Sequence, residues 1–213
     1  MDSGMSVDTA TGWLDAWLPE DAALTAARSR AEEVGVACVD PVTGSLLRLL
    51  AATSCAKAVV ELGTGAGVSS LWLLLGMASD GVLTSVDPET EHQRLARQSL
   101  NEAGYGSGRV RLIAGRALEV LPRLSDGAYD LVFCDALRSE NVDYLSAALR
   151  LLRPGGTVVF AGALAGGRVA DPGARDPDTV ALRELARAVR EEERLVPALL
   201  PVGTGVLAAV LRP

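Results

Sequence analysis

At 213 residues the chain has room for one substantial α/β domain and little more. Hydrophobic residues make up 49% and charged residues 22%, the balance of a globular protein, while aromatics are only 4%, so the core must come mainly from Leu, Val and Ala. A formal net charge of -7 argues against a nonspecific grip on nucleic acid, which needs clustered cations to displace counterions. Lys57 is the one lysine among 20 basic residues, which removes most candidates for a catalytic amine. Cys38, Cys55 and Cys134 are odd in number and have no CxxC spacing; this argues against a disulfide framework or a zinc site and fits buried thiols in a reducing cytoplasm. The first ten residues have no basic segment followed by an apolar run, so no secretory signal is expected.

In chain order, residues 1 to 6 read as disordered, and Trp13, Leu14, Trp17 and Leu18 have helical spacing suited to packing on the domain or on a second subunit. A helix is predicted from Glu20 to Val34, with Leu24, Ala27, Ala31 and Val34 on one face, and another from Thr43 to Ser54. The pattern then changes. Ala58 to Leu62 reads as a strand, followed by a glycine turn, a helix from Val68 to Ala78, and a second strand from Val82 to Val86 ending at Asp87. Glu61, Asp80 and Asp87 interrupt this apolar stretch, so it is no membrane span. Pro88 is expected to open the next helix with Asp87 as its cap. Further strands are predicted at Arg109 to Ala114, Tyr129 to Cys134 and Thr157 to Ala161, with helices at Ala117 to Leu124 and Val142 to Leu152. Arg153 to Gly156 reads as a turn and Ala161 to Arg175 as a long loop; Asp176-Pro177 should cap a helix over Asp178 to Glu192. Leu199 to Arg212 reads as two strands around Gly203-Thr204-Gly205. Alternating strands and helices imply a parallel, doubly wound sheet, and the last pair implies one antiparallel strand. No linker divides the chain, which reads as one domain: an N-terminal helical region (1–54) and a Rossmann-like core (55–213).

Two signals point to a nucleoside-type cofactor. In VVELGTGAGVSS, Gly63, Gly65 and Gly67 let the backbone turn tightly and approach a ligand, and the following helix offers its free N–H groups. Asp87 follows at the end of the next strand, where a carboxylate can accept both ribose hydroxyls, or cap a helix, or do both. Nicotinamide cofactors fit these features too. The GxGxG spacing after Glu61, and the succession of YDLVFCD, a helix and LLRPGGTVV, favour S-adenosylmethionine.

With VLTSVDPETEHQRLARQSLNEAG, RVRLIAGRALEVLPRL, RDPDTVALRELARAVREEERL and LLPVGTGVLAAV, the chain from about Glu33 onward resembles the catechol O-methyltransferase-like bacterial O-methyltransferases. These are related to the caffeoyl-CoA enzymes and to a tRNA hydroxyuridine methyltransferase. The resemblance implies a seven-stranded, mostly parallel sheet with one antiparallel strand and helices on both faces, and a homodimer. It implies S-adenosylmethionine as cofactor and S-adenosylhomocysteine as product. Val39, Glu61 and Ser69 would meet the methionine end, Gly63, Thr64 and Gly65 would line the cofactor, Asp87 would hold the ribose, and Arg116 and Ala117 would lie at the adenine. Asp135 would stand where cofactor and acceptor meet.

The chain departs from the family twice. The Asp-Asn pair that completes the family's metal site is Ala161-Gly162 here, and one remaining carboxylate is a poor Mg²⁺ site, so no tightly bound metal is expected. The family's basic lysine is replaced by Arg138, which stays protonated; Arg138 or Arg168 would instead hold an anionic acceptor. Asp135 and Arg138 are therefore the catalytic candidates, with a strand-end cap as the alternative role for Asp135. The function expected is metal-independent methyl transfer to a hydroxyl of a small molecule. A non-catalytic cofactor-binding protein and a tRNA methyltransferase are the rivals, and a nicotinamide oxidoreductase is a more distant one.

Overall fold

The computed structural model describes residues 13, 14 and 17–213. Among the described residues, Trp13, Leu14 and Trp17 are helical, and two further helices precede the sheet. The first, α1 (Ala22–Glu33), starts where the Asp21 carboxylate accepts from the Leu24 amide at 2.9 Å, and it buries Leu24, Ala27 and Ala31. It ends at Glu33, which leaves Val34 45% exposed and off the predicted apolar face. The second, α2 (Pro41–Thr53), begins two residues before the expected Thr43, because Asp40 caps the Thr43 amide at 2.8 Å and Pro41 fits the first turn.

The core then alternates: β1 (Ala58–Leu62), α3 (Val68–Gly76), β2 (Val82–Asp87), α4 (Thr90–Glu102), β3 (Val110–Ala114), α5 (Ala117–Val120), β4 (Tyr129–Cys134), α6 (Asn141–Leu151), β5 (Leu152–Ala161), α7 (Pro177–Glu191), β6 (Leu195–Leu200) and β7 (Val206–Leu211). The seven strands lie in the order β3-β2-β1-β4-β5-β7-β6. β7 runs antiparallel to both its neighbours, so six strands share one direction, as the sequence predicts. In register, Val59 of β1 lies beside Leu83 and Leu131.

Both faces of the sheet are covered, and strand periodicity assigns each side chain to one of them. Val59, Leu83, Leu131, Phe133 and Val159 pack with Leu47, Leu71 and Trp72 of α2 and α3. Val60, Leu62, Val132, Val158 and Phe160 pack with Leu145, Leu185 and Val189 of α6 and α7. Among the described residues no helix is long and apolar enough to cross a membrane.

Several boundaries differ from expectation for identifiable reasons. Pro88 does not open α4. That helix starts at Thr90 with no side-chain cap, because the Asp87 carboxylate is engaged mainly by the glycine turn. Arg153 to Gly156 is no separate turn: β5 begins at Leu152 and carries an irregularity where its register with β4 shifts between Tyr129 and Leu131. The helix after β3 is α-helical only to Val120, then 3-10 over Leu121–Arg123. The first strand of the terminal hairpin starts at Leu195, four residues before the predicted Leu199. Of the cysteines only Cys134 is buried; Cys38 is half-buried and Cys55 exposed.

Candidate active site

β1 and β4 are neighbours, yet β1 leads outward to β2 and β4 outward to β5 in the opposite direction. Ligands of open α/β sheets bind at the carboxyl ends of strands where the order reverses in this way. A crevice lies there, lined by Val36 to Cys38, Gly63 to Ala66, Val68, Ser69, Asp87, His92 and Asp135. Two larger hollows, of ≈ 500 and ≈ 540 Å³, lie away from the strand ends, one beside α1 and α3 and the other between α7 and β6. Neither carries the glycine turn or the strand-end carboxylates.

The floor of the crevice is backbone. Gly63 has φ +92, and a Cβ there would sit 2.1 Å from the carbonyl oxygen of Asp135, so glycine is required both by conformation and by the close approach of β1 to β4. Asp87 joins the glycine turn to β2: its Oδ2 accepts from the amides of Thr64 (2.9 Å) and Gly65 (3.1 Å), and its Oδ1 accepts from the Glu89 amide (2.9 Å). His92 Nδ1 approaches the same carboxylate at 3.2 Å. At the start of α3, Gly67 provides no side-chain cap, which leaves the first-turn amides available to a ligand.

Glu61 is fully enclosed. Its carboxylate accepts from Ser69 Oγ at 2.6 Å, from Ser85 Oγ at 2.6 Å and from Ser70 Oγ. Burial pushes its pKa up to about 7, although the three serine hydroxyls oppose the rise. Ser69 lines the crevice, so Glu61 is coupled to it through that hydroxyl.

Asp135 follows the end of β4. Its carboxyl is accessible from the crevice but hemmed in by protein, and this enclosure raises its pKa while the charge of Arg138 opposes the rise. No described residue donates a hydrogen bond to that carboxylate, so Asp135 caps no turn. Arg138 Nη1 donates to Asp178 Oδ2 at 2.9 Å, and the guanidinium lies against Gly162. Ala161 and Gly162 offer no side-chain donor, and among the described residues no cluster of three His, Cys, Asp or Glu could hold a metal. Octahedral Mg²⁺ wants several oxygen ligands, so these residues do not fit the cation of the resembling enzymes.

The other predicted positions spread around this centre. Val39 is buried in the apolar core, 7% exposed, and its neighbours Val36 to Cys38 line the crevice instead. That wall is held by Arg28, whose Nη1 donates to Cys38 Sγ at 3.1 Å while its Nε donates to Glu20 at 2.8 Å. Ala117 is buried at the start of α5, and Arg116 is exposed and paired with Glu140 at 2.7 Å. Sequence reasoning missed Val36 to Cys38 and the engagement of His92 with Asp87. The first has no motif of its own, and the second required knowing which way α4 turns from Asp87.

Sheet order, glycine turn and strand-end carboxylate together define a Rossmann-like methyltransferase of class I. The chain belongs to the O-methyltransferase family, whose model matches residues 17–212. A Mycobacterium bovis relative that carries an O-methyltransferase name is 58% identical over 193 residues, covering 91% of this chain and 86% of the relative. The solved structure of the O-methyltransferase TomG from Streptomyces achromogenes, involved in tomaymycin synthesis and in complex with S-adenosylmethionine, is 30% identical with a TM-score of 0.88, over 96% of each chain. That of an O-methyltransferase from Bacillus cereus in complex with S-adenosylhomocysteine is 27% identical with a TM-score of 0.88, over 95% of this chain and 97% of that one.

Proposed function

We propose that this S-adenosylmethionine-dependent O-methyltransferase transfers the methyl group to a hydroxyl of a small-molecule acceptor without a metal ion. The observation that carries the reading is the convergence, at one strand-order reversal, of the glycine turn, Asp87, the Glu61–Ser69 pair and Asp135. Asp87 would hold the ribose, Gly63 to Gly65 would line the cofactor by backbone, and Ser69 with Glu61 behind it would receive the methionine end. Val39 would support that end from behind the wall, and Arg116 and Ala117 would border the adenine.

S-adenosylmethionine supplies an activated methyl group. The protein has to bind it, align an acceptor hydroxyl with the sulfonium methyl, and exclude water. Alignment alone can supply roughly 7–11 kcal/mol of a barrier, so transfer does not demand Lewis-acid help. Asp135 would accept the hydroxyl proton; the protein packed around its carboxyl raises its pKa, which makes it a better base than an ordinary carboxylate. Ala161, Gly162 and Arg138 support the metal-free reading, since they leave a lone carboxylate beside a permanent cation.

The same reading takes the chain as one domain working in the cytoplasm as a homodimer. Trp13 and Trp17 stack with ring centroids 6.4 Å apart while staying 63% and 66% exposed, which supports a partner on that face. The direct test is titration with S-adenosylhomocysteine: Asp87→Ala should weaken binding at least tenfold, and unchanged affinity would refute the ribose assignment.

A further inference from the structure

The cation of this site is part of the chain. Arg138 stands three residues after Asp135, at the opening of the segment that leads into α6. Its guanidinium reaches the end of β5: a Cβ at Gly162 would meet Nη2 at 3.2 Å and Nε at 3.8 Å. A Cβ at position 162 would ask the guanidinium tip to give by a few tenths of an ångström, and φ +67 there favours glycine in its own right. On the other side, Nη1 is engaged by Asp178 at 2.9 Å. Among the described residues Asp178 is its only acceptor, so the Nε–Nη2 edge donates to none. That edge is the planar fork of two parallel N–H groups which matches a carboxylate in bidentate fashion. Arg138 is about one-third exposed, and its charge is felt at the Asp135 carboxylate, which lines the crevice.

We infer that the acceptor is a hydroxy acid: its carboxylate is gripped by the free Nε–Nη2 fork of Arg138, and this grip presents its hydroxyl to Asp135. The inference rests on the methyltransferase reading above and gives that reading a substrate class. The step balances without any further reagent. The hydroxyl oxygen forms the new bond to the methyl carbon, the carbon–sulfur bond breaks with its electron pair remaining on sulfur, and the hydroxyl proton passes to the Asp135 carboxylate. The carboxylate of the acceptor does not react. It fixes the register of the hydroxyl. Lysine at position 138 would supply a point charge without the fork, so the geometry favours arginine for more than its charge.

The test compares the three hydroxybenzoate isomers with the matching hydroxybenzamides, equal in shape but uncharged, as ligands of the complex with S-adenosylhomocysteine and then as acceptors with S-adenosylmethionine. At least one hydroxybenzoate should bind tenfold or more tightly than its amide. Arg138→Ala should abolish that preference, and Arg138→Lys should recover only part of it. Asp178→Asn should leave the preference in place. Equal binding of acid and amide, binding of neither, or an acid preference that survives Arg138→Ala would each overturn the proposal. S-adenosylhomocysteine affinity measured on the same samples separates the two levels. If it is retained in every variant, such a failure falls on the acceptor assignment alone; if the unmodified protein does not bind it, the methyltransferase reading fails first.

Discussion

Glu61 occupies a place where a carboxylate is costly. It has no contact with solvent, and only the hydroxyls of Ser69, Ser70 and Ser85 stand in for water. Its pKa in the folded chain is about 7, above the ordinary 4.5, so between these values the native state keeps a proton that the unfolded chain has released. Stability therefore falls as pH rises through that window, with the full cost, on the order of 3 kcal/mol, present above about pH 7. Glu61→Gln removes the titration: its Tm relative to the unmodified protein should be higher at pH 8 than at pH 5, and a difference that ignores pH would contradict the assignment. The sequence marked Glu61 through its glycine-rich context. It could not show the serine cage, because Ser85 stands on β2 and joins Glu61 only through the β1–β2 pairing.

At the scale of elements, two contacts set the local geometry. The first is the approach of β1 to β4 at Gly63. Gly63→Ala would force an L-residue to φ +92 and push its Cβ into the Asp135 carbonyl, and should lower stability by at least about 1–3 kcal/mol in chemical denaturation. Gly104→Ala, at φ +84 with open space around the Cβ, carries the conformational cost without the collision and should be milder; equal losses would deny the collision any role. The second is Arg183 of α7, which donates to the carbonyls of Val169 (3.0 Å), Ala174 (2.8 Å), Arg168 (3.2 Å) and Asp171. It folds the stretch from Ala161 to Arg175, read from sequence only as a long loop, around a 3-10 segment at Ala165–Ala170. Arg183→Ala should raise the KM for the acceptor several-fold and leave S-adenosylhomocysteine affinity within about twofold. Strands β1 to β4 were readable because short apolar runs end at glycine or aspartate. The start of β5 was not, because Pro154 and Gly155 look like a turn, whereas the strand already begins with the pairing of Leu152 to Tyr129 and carries residues 153–156 as an unpaired irregularity before Thr157 pairs with Leu131. Asp87 looked like a helix cap for a related reason: the amides of Thr64 and Gly65 that claim it come from the other side of β2.

Over the whole molecule, the apolar surface is uneven. Trp17, Leu18, Val42, Leu46, Leu49 and Val202 line one hollow, with Trp17 66% and Leu49 57% exposed. Patches of this kind mark interfaces, and sedimentation should find a dimer that Trp17→Asp with Leu49→Asp converts to a monomer; a monomer before substitution would remove the homodimer from the account. The net charge of -7 argues against a nonspecific grip on nucleic acid, and Arg138, paired with Asp178, stands three residues after the crevice carboxylate of Asp135. The central claim, a methyl-donor site that works without a metal, is tested most directly by calorimetric titration with S-adenosylmethionine and S-adenosylhomocysteine in the presence and absence of Mg²⁺, with NAD as control. Micromolar binding of both compounds, unchanged by Mg²⁺ and absent for NAD, is the predicted result. Binding of neither compound, or binding that requires Mg²⁺, would contradict it.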